Sequence, residues 1–236
     1  MLLDLFTGGM DNFAINLLSF LILFPALLLS LSAHEFAHGY AAYKQGDGYA
    51  KMMGRLSLNP LKHLDPIGTL LLFVCGFGWA KPVPIVPSNF KNGKKSMLIV
   101  SFAGILTNII IAFISVFFLY FLTFVVGIMY RTGMAWQIFG TVIYSFFSYL
   151  AIININLAVF NLLPIPPLDG YKIFRELFAS KLGYTFFANI ERYSNLIMII
   201  IIVASSRLGI ISGISGAVYS GLNYLMKLIF SAFTFG

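Results

Sequence analysis

The stretch FAINLLSFLILFPALLLSLSAHEFAHGY, residues 13–40, decides the class of fold. A helix over residues 12–43 rises about 1.5 Å per residue, which is ample to cross the hydrocarbon core of a bilayer, about 30 Å thick. The whole chain agrees with this interpretation, because 59% of its 236 residues are hydrophobic and only 10% are charged. The sequence therefore predicts a protein that is embedded in a membrane.

Further apolar stretches follow along the chain. Residues 44–96 break the pattern with glycines and prolines, and they enclose an apolar piece, residues 67–74, that is too short to span a bilayer. We expect that piece to be re-entrant or interfacial. The other spans are predicted near residues 97–129, 136–163, 193–206 and 208–230. The predicted fold is an all-α polytopic membrane protein with about five transmembrane helices, forming a single domain over residues 1–236.

The basic residues alternate between the connections. Eight of the fifteen Lys and Arg lie in residues 44–96 and four in residues 172–192, while each other connection has one or none. The positive-inside rule then places the N-terminus outside and the two basic loops in the cytoplasm. The net charge of +7 does not indicate nucleic-acid binding, because these residues are spread through loops instead of lining one amphipathic face.

The first span ends in the motif His34-Glu35-Phe36-Ala37-His38, which holds two of the three histidines of the chain. Positions i and i+4 of a helix share a face, so two imidazoles can converge on one Zn²⁺ with the glutamate beside them as a general base. The single cysteine offers neither a disulfide nor a thiolate pair for a metal. The alternative is a polar helix end with solvated histidines, which is disfavoured because ionisable groups within a membrane-length segment are costly.

A hydrolytic zinc site usually takes three protein ligands, so a third is needed. Asp169 is the best placed, because it follows a long apolar helix that three prolines end within residues 161–168, on the same side of the membrane as the histidines. Asp169 is also consistent with a simple turn or with the N-cap of a following helix. His63 and Asp65 are the rivals, for which we prefer a role in anchoring their loop.

Three motifs in this order resemble the site-2 protease family of intramembrane zinc metalloproteases, particularly its compact members without a PDZ domain. They are HEFAH at residues 34–38, GWAKPVP at 78–84 and NLLPIPPLDG at 161–170, which matches NxxPxPxLDG. The resemblance runs from about residue 30 to residue 176, and we expect a three-helix catalytic core over about residues 12–176, followed by transmembrane helices at about 190–231. It also implies one zinc ion held by His34, His38 and Asp169, with Glu35 as the general base.

Two further predictions concern the substrate, the first implied by the resemblance and the second a hypothesis from the proline spacing in residues 77–87. The middle helix reads AGILTN at residues 103–108, without the proline that usually follows the glycine, and Asn108 is implied to position the substrate or stabilise an oxyanion. An interhelical hydrogen bond is the alternative for Asn108. In Phe77 to Pro87, Val83 and Ile85 would donate from one edge of a β-hairpin-like segment, to which an unwound substrate adds as a strand. The alternative is a polyproline connector.

The function implied by the resemblance is endopeptidase cleavage of a membrane-anchored regulatory protein, in or near the transmembrane segment of a single-pass substrate. We expect a multi-pass protein of a prokaryotic plasma membrane, with the lipid bilayer as its solvent and its active site toward the cytoplasm. The alternative from another class is a membrane zinc transporter or sensor that binds metal without turnover. Glu35 discriminates between them, because only hydrolysis needs an unligated base beside the metal.

Overall fold

The fold is known from a computed structural model, which describes residues 9–75, 78–129 and 134–234. Within these ranges the regular structure is helical, and the only strand-like feature is an isolated antiparallel bridge between Leu64 and Ala80. The α-helices are α1 Gly9–Lys44, α2 Tyr49–Met52, α3 Pro66–Cys75, α4 Gly93–Met129, α5 Met134–Asn161, α6 Asp169–Leu182, α7 Tyr184–Arg192, α8 Ser194–Leu208 and α9 Ile210–Thr234.

Three helical segments of the described residues are long and apolar enough to cross a membrane: Phe13–Lys44, Gly93–Thr123 and Trp136–Asn161. They confirm the first three predicted spans and the all-helical membrane class. A fourth span is obtained only if Tyr184–Arg192 and Ser194–Ser205, bent by 64° at their junction, count as one. The expected total of five is therefore not confirmed. Helix α8, with 15 residues, is short for a span of about 20.

Helix α4 lies at the centre of the bundle and packs against α1, α5, α6 and α9. One stripe of this helix is buried, and its apolar members recur at helical spacing: Val100, Ile105, Ala112, Val116 and Leu119. The other face of α4 carries large apolar side chains that are exposed on the protein surface, among them Ile110, Phe113 and Phe117. This distribution suits a helix that meets neighbouring helices on one side and lipid on the other.

The connection between α1 and α4 contains the predicted short apolar piece and the predicted template segment. The apolar piece forms α3, whose 10 residues are too few to span a bilayer. Residues 81–86 form neither helix nor strand, and Phe77 lies outside the described residues. The β-hairpin-like detail is therefore not confirmed in the described part of the chain.

The buried carboxylate of Asp47 fastens this connection to the end of α1. Its Oδ2 accepts the Val86 N–H at 2.7 Å, and its Oδ1 accepts the Tyr49 N–H at 3.1 Å and the Asn89 side-chain amide at 2.9 Å. On the other flank, the Arg55 guanidinium donates to the carbonyl oxygens of residues 81 and 82. Residues 81–89 are thus held beside the cluster of polar side chains at the end of α1.

Candidate metal centre

The two histidines of the HEFAH motif lie near the end of α1, and both are buried there. Their Nε2 atoms are 3.0 Å apart, and their rings meet edge to face. This is the convergence that a spacing of four residues on a helix predicts. The Nε2 atoms of the two imidazoles therefore converge on the same point.

Asp169 is brought to that point by the first turn of α6. It is the first residue of the helix, and the residue at the N-cap position is Leu168, so the Asp169 carboxylate is not used as a cap. Its Oδ2 lies 2.9 Å from His38 Nε2 and 3.3 Å from His34 Nε2. Among the described residues, these three form a group of His, Cys, Asp or Glu whose ligand atoms all lie within 4.8 Å of one another.

The turn before α6 depends on Gly170. A Cβ atom at this position would lie 2.2 Å from the carbonyl oxygen of Leu162 and 2.5 Å from that of Leu163. Only glycine allows the start of α6 to approach the end of α5 so closely. The glycine of the LDG sequence therefore sets the position of the aspartate before it.

The three ligand atoms suit a zinc ion. Two atoms at about 2.0–2.1 Å from a tetrahedral zinc are about 3.3 Å apart, and the three separations found here are 2.9, 3.0 and 3.3 Å. Oδ2 of Asp169 is buried and has no hydrogen-bond partner of acceptable geometry within the described ranges, so the rings face it without donating to it. A set of two imidazoles and one carboxylate is typical of catalytic zinc sites.

Neighbouring groups orient the ligands. His38 Nδ1 lies 2.8 Å from the Val100 carbonyl oxygen, which fixes the proton on Nδ1 and turns Nε2 toward the centre. Asp169 Oδ1 accepts from Lys172 Nζ at 2.8 Å, which leaves Oδ2 to face the rings. Gly104 of α4 lies against both imidazoles, since a Cβ there would be 2.4 Å from His38 Nε2 and 2.6 Å from His34 Cε1.

The electrostatic surroundings keep Asp169 ionised. Burial by itself raises the pKa of this carboxyl group, but the short contacts with His34 and His38 and the charge of Lys172 outweigh burial. The pKa of Asp169 is therefore held well below its usual range, and the group is an anion ready to bind a cation.

Glu35 lies beside the ligands without joining them. Its Oε2 accepts the Val83 N–H at 2.8 Å, which ties the predicted base to the segment after the GWAKP sequence. The Val83 side chain is buried against Gly39 of α1, so both the backbone and the side chain of Val83 fix this contact.

The rival ligands have other partners. His63 is buried with Nε2 2.6 Å from the Ser57 carbonyl oxygen, and Asp65 Oδ1 accepts the Gly68 N–H at 2.8 Å. The first contact lies within the loop before α3, and the second joins the end of that loop to the first turn of α3. Neither residue belongs to the group of converging ligand atoms.

The predicted substrate-binding residues lie around the centre, and their roles stay predictions. Asn108 is fully buried one helical turn after Gly104, and neither end of its amide has a hydrogen-bond partner among the described residues. Ile85 packs its side chain against the cluster of Ala42, Phe90 and Val100. The sequence interpretation missed Asp47, for which the only signal was an acidic residue in a glycine-rich turn. It also missed Ser30 and Asn154, whose side chains are joined by a hydrogen bond of 2.7 Å inside the bundle.

The fold and the centre together define a class, a helical membrane protein whose HExxH helix and a distant aspartate bring together three side chains that could hold a metal ion. The model of peptidase family M50 matches residues 22–205, most of the chain. The chain belongs to this family, the site-2 protease family. Membership confirms the expected enzyme class, a zinc metalloendopeptidase.

Individual relatives agree. The chain is 45% identical over 172 residues to YwhC of Bacillus subtilis, which covers 71% of this chain and 74% of YwhC. It is 29% identical over 157 residues to Rip2 of Mycolicibacterium smegmatis and, equally, to Rip2 of Mycobacterium tuberculosis, covering 64% of this chain and 55% of each Rip2. All three carry the name "Putative zinc metalloprotease". No solved structure matches the chain significantly.

Proposed function

We propose that this protein hydrolyses a peptide bond in or near the transmembrane segment of a single-pass membrane protein, using one zinc ion held by His34, His38 and Asp169. The observation that carries the proposal is the convergence of these three ligand atoms, next to an unligated glutamate, in a bundle of membrane-length helices. A regulatory protein released by cleavage is the substrate that the family resemblance favours.

Zinc in such a site polarises a carbonyl group and makes water more acidic. The protein supplies the proton transfer: Glu35 takes a proton from the attacking water and passes it to the leaving amine. The hydrogen bond from Val83 occupies Oε2 of Glu35 and leaves Oε1 to accept that proton. The Val83 N–H thus orients the base in our proposal.

This contact changes the part that Val83 plays in substrate binding. An unwound substrate strand that pairs with residues 83–85 would use the Ile85 N–H, because the Val83 N–H is already taken by Glu35. The Ile85 N–H donates to no acceptor among the described residues. Pairing there would place the substrate backbone beside Glu35. An intact substrate helix cannot pair in this way, because its backbone groups are already hydrogen-bonded within the helix.

The side of the membrane follows from charge. The ligands lie at the end of α1 that leads into the basic residues 44–96, and Asp169 begins the helix that holds Lys172 and Arg175. The positive-inside rule assigns both connections to the cytoplasm, so we propose an active site that opens toward the cytoplasmic face of a prokaryotic plasma membrane.

Glu35→Gln tests the reaction. The variant should bind one zinc ion per chain as the wild type does and should lose cleavage of a co-expressed membrane-anchored reporter, because the amide cannot accept the proton. Glu176→Gln, a half-buried carboxylate of α6 that lies beside Arg175, is the matched control and should cleave normally. Unchanged cleavage by Glu35→Gln would contradict a hydrolytic role for this residue and favour the transporter or sensor.

Ile85→Pro tests strand pairing. It removes the N–H that our proposal leaves for the substrate and also changes the side chain that packs against Ala42, Phe90 and Val100; cleavage should be lost while zinc content is unchanged. Ile85→Val keeps the N–H and should cleave normally. Val83→Pro should also lose cleavage, in that case because Glu35 loses its hydrogen bond. Normal cleavage by Ile85→Pro would refute the pairing and leave the zinc site untouched.

A further inference from the structure

The inner side of the metal centre contains buried polar atoms without partners. Among the described residues these are His34 Nδ1, Asn154 Oδ1, and both the oxygen and the nitrogen of the Asn108 amide. Asn108 and Asn154 have no exposed surface, and His34 is 6% exposed. Buried polar groups are nearly always hydrogen-bonded, so a cluster of unpaired atoms points to a bound molecule that completes it.

Asn154 is held in one orientation. Its side-chain nitrogen donates to Ser30 Oγ at 2.7 Å and to the Leu150 carbonyl oxygen at 2.8 Å, while the Ser30 hydroxyl donates to the Ala26 carbonyl oxygen at 2.7 Å. A carbonyl oxygen only accepts, so the atom facing Leu150 is the nitrogen. Both N–H groups of Asn154 are therefore used, and its unpaired Oδ1 is an acceptor.

His34 offers the complementary group. When Nε2 faces a metal ion, the neutral ring carries its proton on Nδ1, which is then a donor. Ser30 precedes His34 by four residues on α1, so Ser30 and the Asn154 side chain bonded to it lie one helical turn below the His34 ring on the same face. No direct hydrogen bond joins this donor to the Asn154 acceptor, since neither atom has a partner among the described residues.

Asn108 supplies the third side. Along α4, the Val100 carbonyl oxygen contacts His38, and Gly104, one turn later, touches both His38 and His34. Successive turns of α4 therefore lie against successively earlier residues of α1, in the direction of Ser30. The next turn of α4 carries Asn108, which brings its amide to the level between His34 and Ser30. Helices α1, α4 and α5 thus each carry a buried, unpaired hydrogen-bonding group near this level of the bundle.

We propose that a buried water molecule binds between His34, Asn108 and Asn154, accepting from His34 Nδ1 and donating to Asn154 Oδ1. A buried water needs two to four polar partners, and this level of the bundle offers a donor, an acceptor and an amide with both. Asn154 and Asn108 are then positioning residues that hold the His34 ring with Nε2 toward the metal, as the Val100 carbonyl oxygen holds His38. This inference rests on the ligand set of the proposed function.

The test is the zinc affinity of Asn154→Leu in the full chain, measured by competition with a chromogenic chelator. Leucine fills the space and offers no acceptor, so zinc should bind about 10- to 100-fold more weakly. Asn156→Leu is the matched control: the same change on the same helix, where Asn156 lines a cavity against Ser212 and Ser215 of α9. Its zinc affinity should equal that of the wild type.

A second measurement separates positioning from general damage. In the zinc-loaded protein labelled with ¹⁵N-histidine, Asn154→Leu should shift and broaden the Nδ1–H resonance of His34 and leave that of His38, bonded to Val100, unchanged. Asn154→Ala leaves room for a replacement water and should lose less zinc affinity than Asn154→Leu; it also serves if the leucine variant does not fold.

Wild-type zinc affinity in both Asn154 variants, or an unshifted His34 resonance in the variant that folds, would overturn the water site. Neither result would touch the proposed function, which fails instead if the wild-type chain binds no zinc.

Discussion

Replacing Gly104 by alanine adds one methyl group at the place where α4 touches both imidazoles. The new Cβ would lie 2.4 Å from His38 Nε2, 2.6 Å from His34 Cε1 and 2.7 Å from His38 Cε1. Non-bonded heavy atoms sit at about 3.5–4.0 Å, so the rings must retreat by about 1 Å. Ligand distances in a metal site vary by only about 0.2 Å, and the two histidines cannot both retreat and still bind the ion.

The size of the effect follows from the loss of a direct ligand. Disturbing a group that merely orients a ligand weakens metal binding about 10- to 100-fold, so displacing a ligand itself should weaken it by more than about 100-fold. This corresponds to at least about 2.7 kcal/mol of binding free energy. Alanine is favoured over glycine inside a helix by about 1 kcal/mol, so helix propensity does not explain a loss in this direction.

The assay is zinc affinity by chelator competition, with the thermal unfolding of the metal-free protein measured alongside. Gly216→Ala on α9 is the matched control, because a Cβ there would meet nothing within 4 Å. We expect normal zinc binding for Gly216→Ala and loss for Gly104→Ala. Zinc affinity within threefold of the wild type for Gly104→Ala would refute the packing of α4 against the two rings.

Three other substitutions test the surroundings of the centre. Gly170→Ala should displace Asp169 and reduce zinc binding, because its Cβ would overlap the Leu162 carbonyl group; zinc titration checks this, and wild-type affinity would contradict it. Asp47→Ala removes three hydrogen bonds to a buried carboxylate and should lower the free energy of unfolding by about 3 kcal/mol at pH 7. Burial raises the pKa of Asp47, but the hydrogen bonds from Val86, Asn89 and Tyr49 lower it by more, so the pKa is lower in the folded protein. The stabilisation by Asp47 is therefore present above the unfolded pKa of about 3.9 and is lost as the pH falls through the folded value. The difference in unfolding free energy between wild type and variant should shrink below about pH 4, and a constant difference would contradict this explanation. Burial and the hydrogen bond to Glu191 raise the pKa of Tyr171 to about 12, and Tyr171→Phe removes that hydrogen bond. The variant should lose about 1 kcal/mol of unfolding free energy in denaturant at pH 7 and should bind zinc as the wild type does. Reduced zinc binding would instead give Tyr171 a role in the centre.

The convergence of His34, His38 and Asp169 was predictable because its signals are local. The spacing of four positions from His34 to His38 determines a shared helix face, and three prolines before Asp169 determine where α5 stops. Each of these patterns is complete within ten residues of chain. The sequence therefore indicated which groups would meet even though more than 130 residues separate the motif from the aspartate.

Other parts of the molecule depend on contacts that no local pattern encodes. Asp47 finds its partners 39 and 42 residues away, and Asn154 finds Ser30 at a separation of 124 residues. The predicted total of five spans is not confirmed in the described residues, and apolar composition near residues 193–206 does not reveal that the chain bends by 64° between α7 and α8. In lipid, apolar sequence alone does not distinguish a helix that crosses from one that ends early.

The central claim is that His34, His38 and Asp169 hold one zinc ion. Zinc content measured on the purified wild type beside Asp169→Ala and Asp65→Ala tests it most directly, since both variants lose a carboxylate from the same side of the proposed fold. We predict one zinc ion per chain in the wild type and in Asp65→Ala, and loss of bound zinc in Asp169→Ala. Full zinc content in Asp169→Ala would contradict the ligand set.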